Sequence, residues 1–123
     1  MLGTVARTSA DLELVETSRN THTVGLRFTG VEIPQGAHVT SAYVQFKVDE
    51  TGSTPTHLTI AGHDDDDAPA FGTSNGAVSS LPRTSAAVAW SPAAWTRVGE
   101  VGPDQQTPDL AAVIQEIVDR PGW

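Results

Sequence analysis

The chain contains no cysteine, so disulfide staples, thiolate metal sites and a cysteine nucleophile are all excluded. Positive charge is nearly as scarce: Lys47 is the only lysine, and with six arginines it faces fifteen carboxylates, for a net charge of −8. That balance opposes binding to a phosphate backbone or to an anionic membrane surface, so no nucleic-acid partner is expected. No stretch approaches the roughly 20 apolar residues of a membrane span, and Met1 to Arg7 has no long apolar core behind a basic start. Apolar residues reach only 38%, whereas glycine, proline, serine and threonine are plentiful, as expected of many short strands joined by many turns. The 123 residues suit one domain with one core.

Periodicity supports a β-rich reading. Asp11 to Glu16 alternates through Leu12 and Leu14. His22 to Thr29 alternates through Val24, Leu26 and Phe28, the pattern of a half-buried antiparallel strand. Ile33-Pro34-Gln35-Gly36 reads as a turn, since proline presets its φ and glycine accepts a positive one. Val39 to Asp49 is the strongest strand, with Ala42, Val44, Phe46 and Val48 on one face and Tyr43, Gln45 and Lys47 on the other. His57 to Gly62 alternates again and is expected to lie antiparallel beside it. Ala68 to Thr84 reads as a long loop pinned by Phe71, Val78 and Leu81, with a turn signal at Asn75-Gly76; Ser85 to Trp90 and Trp95 to Glu100 read as two further strands. One helix is expected from Thr107 as N-cap and Pro108 as first residue. Its apolar stripe is Leu110, Val113, Ile114, Ile117 and Val118, and Arg120-Pro121-Gly122 ends it.

The densest charge is the run Asp64, Asp65, Asp66 and Asp67, where a strand should become a loop. At 4 Å two unit charges interact by about 1 kcal/mol in water and about 4 kcal/mol at an effective dielectric near 20, so the run must be screened by water, a cation or a basic partner, and a half-buried loop of this kind is a natural seat for a hard cation. With only oxygen ligands on offer, calcium is the cofactor expected there, although the spacing is not that of an EF-hand. The plainer alternative is a solvated acidic surface. His22, His38, His57 and His63 are scattered, with His63 alone beside the aspartates. Trp90 and Trp95, with the outward-facing Tyr43, are the candidate ligand-contacting aromatics, since flat rings suit the apolar faces of sugars; packing in the core or at an edge is the competing role. Ser79, Ser80 and the threonines lack a defensible histidine and aspartate partnership, and four adjacent aspartates are not two carboxylates held across a substrate. The chain is therefore read as a non-enzyme.

Several motifs together, Val24 to Ala37, Ser41 to Phe46, Leu58 to Gly62, Trp90-Ser91-Pro92 and Thr107 to Leu110 through Arg120-Pro121-Gly122-Trp123, resemble the DNRLRE-type and disaggregatase-related β-sandwich modules of secreted bacterial proteins, some of which bind alginate. The resemblance runs over nearly the whole chain from Asp11. It implies an all-β, antiparallel, jelly-roll-like sandwich with one short C-terminal helix, a single module over residues 1–123, and an extracellular or cell-surface location. Modules of this type usually continue past the Gly-Trp pair, so the final strands are expected from the rest of a longer protein or from another chain. The expected function is a non-catalytic, calcium-stabilised module that binds polysaccharide or serves neighbouring domains of a larger secreted protein. The alternative is a structural subunit of an adhesin, surface layer or filament, a homo-oligomer assembled through an open sheet edge by strand complementation.

Overall fold

The computed structural model describes residues 24–49, 51–52, 57–72, 78 and 80–123. They are mostly strand and coil, with one two-stranded antiparallel sheet and one helix. The strands are β1, Leu58–His63, and β2, Arg83–Trp90; a short 3-10 turn, Pro103–Gln105, precedes the helix α1, Ala111–Val118. The strand expected over residues 11–16 and the Asn75-Gly76 turn lie outside the described residues.

The expected strands over 57–62 and 85–90 form, and they form together. The ladder runs Leu58↔Trp90, Thr59↔Ala89, Ile60↔Val88 and Ala61↔Ala87, then slips before His63↔Arg83. Gly62 sits at the slip, and its amide donates to Thr84 Oγ1 at 3.0 Å instead of to a strand carbonyl. The helix packs over both strands. Its stripe is the expected one: Leu110, Val113 and Val118 are buried, as are Val48 and Trp90.

The segment 42–48 keeps the predicted alternation, with Ala42, Val44, Phe46 and Val48 turned in and Tyr43, Gln45 and Lys47 exposed. The strand expected over 39–49 is reduced to an isolated bridge, Gln45 to Gln106, and its neighbour differs from the expected one. Phe46 donates its amide to Gln105 O at 2.9 Å, Val48 to Glu100 O at 3.0 Å, and Thr107 and Leu110 donate theirs to Val44 O and Ala42 O. The chain before the helix, not β1, therefore lies beside this segment. Trp95 makes a bridge to Gly52, and Arg97 to Glu100 closes a turn, so the strand expected at 95–100 is reduced to that bridge.

This pairing also explains why α1 starts at Ala111 and not at Thr107. Thr107 is buried with its hydroxyl accepting the Val44 amide at 3.0 Å, so it serves the neighbouring segment and cannot cap a helix. Leu110 takes the N-cap position without a side-chain cap, and Asp109 just before it accepts the amides of Ala111 and Ala42 through Oδ1, both at 3.0 Å. At the other end, the expected reversal at 34–36 is present. Ala37 donates to Pro34 O across the turn, Gly36 has φ 74°, and the Gly36 amide reaches Val118 O at 2.9 Å, satisfying a helix-end carbonyl.

Two polar side chains tie α1 to its surroundings. Gln115 accepts the Val39 amide and donates to Ala37 O, both at 2.7 Å, continuing the backbone pattern of that segment with a side-chain amide. Glu116 accepts the consecutive amides of Ser85 and Ala86 at 2.8 and 2.9 Å, fixing β2 beneath the helix. Glu116→Ala is expected to lower stability by about 1 kcal/mol, since two donors lose their acceptor at a partly solvated site. Glu116→Gln keeps one acceptor oxygen and should lose less, with urea midpoints measuring both.

A further expected strand is also corrected. Residues 24–29 lie in no ladder among the described residues, and Leu26 and Phe28 are 40% and 64% exposed instead of facing the core. Gly25 lies against Phe71, whose ring tip would be 2.7 Å from a Cβ at this position, so the loop anchor Phe71 takes the inner place beside this segment.

Candidate functional site

β1 delivers His63 and the four aspartates to one end of the sheet, and Asp64 stays attached to the approach of β2 by donating its backbone N–H to Pro82 O at 3.0 Å. Asp65 Oδ1 accepts the Asp67 amide at 2.9 Å, a side-chain turn within the run, while its other oxygen lies 3.8 Å from His63 Nε2. The carboxylates of Asp64 and Asp66 turn to Arg120. Its Nε donates to Asp66 Oδ1 at 2.6 Å and an Nη to Asp64 Oδ1 at 2.7 Å. One guanidinium fork thus spans two alternate carboxylates.

Arg120 is the residue that strand and helix periodicity missed. It belongs to the Arg120-Pro121-Gly122-Trp123 turn, which has more work than ending the helix. Gly122 lies directly against the Asp66 carboxylate, where any Cβ would collide with Asp66 Oδ2 and Cγ. Trp123 donates its indole N–H to Ile33 O at 2.6 Å, so the same turn reaches the 33–36 reversal. The one available signal was charge complementarity: a basic partner among the seven basic residues is one way to screen four adjacent acids, and periodicity does not say which residue.

The hydrogen bond to Asp66, then that to Asp64, holds the Arg120 guanidinium above its ordinary pKa, with partial burial opposing them. A group raised in this way contributes fully below its unfolded-state pKa, and the contribution disappears only as pH rises through the still higher folded value. The arginine side of this contact should therefore produce no change in loop protection between about pH 7 and about pH 10, measured by amide exchange corrected for its intrinsic pH dependence.

A calcium ion gathers about six to eight oxygens around one point. Here the carboxylates of Asp64 and Asp66 converge on an arginine and Asp65 turns to Asp67 and His63; among the described residues no three acidic or histidine side chains are grouped to hold a metal. As folded, the described residues do not gather such a shell around one point.

The three candidate aromatics separate. Trp90 is 8% exposed and stacks on Phe46, with ring centroids 5.9 Å apart and an interplanar angle of 19°, so its face is taken by the core. Trp95 is half-buried, tilted against the same Phe46 at 6.1 Å, and its indole N–H donates to Asp104 O. Tyr43 is 55% exposed on the outward face with Gln45 and Lys47. The structure brings Trp90 and Trp95 together around Phe46 and leaves Tyr43 as the open ring of the three. His57 Nδ1 lies 2.9 Å from Ser91 Oγ, linking the approach to β1 with the end of β2. Ser91 is the side-chain partner of that ring among the described residues.

No protein-family model, no curated protein and no solved structure matches this chain. Among the described residues no helix is long and apolar enough to cross a membrane.

Proposed function

We propose that this chain is a non-catalytic β-rich module, a jelly-roll-like sandwich completed by further strands, that serves as an accessory domain of a larger secreted or cell-surface protein. One observation carries the reading: Leu26, Phe28 and Val31 are 40%, 64% and 46% exposed, on a segment whose Val24-Leu26-Phe28 alternation is that of a strand with a buried face. Leu26 and Phe28, patterned for burial but left exposed among the described residues, are what a neighbouring domain or strand packs against.

The test compares amide exchange of this chain alone with that of a longer product carrying its natural flanking sequence. Exchange at residues 24–32 should slow in the longer product. Equal rates in the two would end the proposal.

Polysaccharide binding is the companion role, with Tyr43 as its aromatic contact and Gln45 and Lys47 beside it as polar contacts. The charge of −8 repels polyanions, which favours a neutral polysaccharide. Tyr43→Ala should abolish retardation of the protein in gels containing a neutral glucan or mannan that retards the wild type. An unaltered shift would remove Tyr43 from the account. The same exposed pair favours a second reading, a subunit assembled by strand complementation. Light scattering distinguishes it, because that reading requires the isolated chain to form concentration-dependent oligomers that Phe28→Thr disperses. Neither reading requires calcium.

A further inference from the structure

We propose that Arg120 is the resident cation of the aspartate loop: the turn after α1 holds the Asp64 to Asp67 loop through a two-carboxylate clamp, so the loop keeps its shape without a divalent ion. This goes beyond the functional reading above and stands whether or not that reading holds.

Three independent contacts support it. The fork of Arg120 takes Asp64 and Asp66 together, at 2.7 and 2.6 Å. Gly122 lacks the side chain that would push Asp66 out of reach of that fork. Trp123 anchors the turn to Ile33 O, so the arginine projects from a turn fixed at both ends, by α1 before it and by the 33–36 reversal after it. The geometry also has a direct electrostatic consequence. Asp64 and Asp66 share a positive partner while Asp65 is turned to the Asp67 amide, which separates neighbours that would otherwise repel. A calcium ion bound through Asp64 Oδ1 and Asp66 Oδ1 would have to displace the guanidinium from them.

Amide exchange of the full chain tests the proposal, because it reports the loop separately from global stability. Salt lowers the general repulsion in a chain of charge −8 and raises overall stability, but it weakens a partly exposed clamp, so the two effects have opposite signs. Rising sodium chloride should therefore speed exchange at residues 64–67 and 122–123 relative to β2, and millimolar calcium or a chelator should leave the wild-type loop unchanged. Arg120→Gln should show the fast loop already at low salt and lose its salt response. Arg120→Lys, which keeps the charge but not the fork, should fall between. Asp66→Asn combined with Arg120→Gln should expose the loop no more than Arg120→Gln does alone. Calcium protection of the wild-type loop, or additive effects in the double variant, would overturn the assignment. Should the variants fail to fold, the salt and calcium titrations of the wild type decide it.

Discussion

Trp90→Ala is expected to remove about 3–5 kcal/mol of stability, the range for deleting a large buried aromatic. The indole lies at the end of β2, opposite Leu58 in the ladder, and is 8% exposed. It stacks on Phe46 from the 42–48 segment, and Phe46 in turn meets Trp95, so one ring joins the sheet to the segment that crosses it and to the loop before the 3-10 turn. Alanine leaves a cavity bounded by groups from separate parts of the chain, which cannot collapse inward without moving β2. With a typical domain stability of about 5–15 kcal/mol, this is a large fraction of the total. The urea midpoint should drop by about 2 M at ordinary m-values, while Trp90→Phe, which keeps a stacking ring, should lose less than half as much. A midpoint within a few tenths molar of wild type for Trp90→Ala would show that the Phe46 stack does not support the core.

The same residue shows what periodicity could and could not reveal. The alternations through Leu58 and Ile60 and through Val88 and Trp90 are local, and they locate β1 and β2 because alternate side chains on a strand face opposite sides. The stripe of α1 and the Pro34 to Gly36 turn are legible for the same reason: each depends on spacing or on one residue's permitted φ. Partner choice is not local. Val39 to Asp49 has a clear inward face, yet its pattern is equally compatible with β1 or with residues 99–110 as neighbour. The selection is made by Thr107 and Asp109, whose side chains take the amides of Val44 and Ala42. That tertiary use of Thr107 overrides its local suitability as a helix cap, and the helix begins three residues later than expected.

The candidate site divides along the same line. Position and charge of the Asp64 to Asp67 run are readable directly, since they are composition. The identity of the neutralising cation is not, because Arg120 is more than fifty residues away along the chain and reaches the run only when α1 is docked on the sheet. The aromatics behave similarly. Trp90 and Trp95 are indistinguishable as exposed platform or core until Phe46 is placed between them, whereas the outward assignment of Tyr43 follows from its alternation with Ala42 and Val44.

Docking of α1 depends in turn on one missing side chain, and Gly62→Val is expected to disrupt it. A Cβ at Gly62 would lie 2.6 Å from Ile117 Cδ1, 3.0 Å from Val113 Cγ1 and 3.3 Å from Thr84 Cγ2. The first of these is the far end of a side chain and can rotate away. Val113 is buried and has little rotamer freedom, and Thr84 is fixed by accepting the Gly62 amide and donating to Ala86 O at 2.7 Å. Alanine at 62 should therefore cost about 1–2 kcal/mol through movement of Ile117. Valine adds two branches that meet the stiff neighbours and should cost about 3 kcal/mol or more, lifting α1 from β1. Because α1 carries Glu116 to β2 and leads into Arg120, this one change should also speed amide exchange at Ser85, Ala86 and the aspartate loop together. If Gly62→Val lowered stability while leaving exchange at all three places as slow as in the wild type, the helix would not be the element that couples the sheet to the acidic loop.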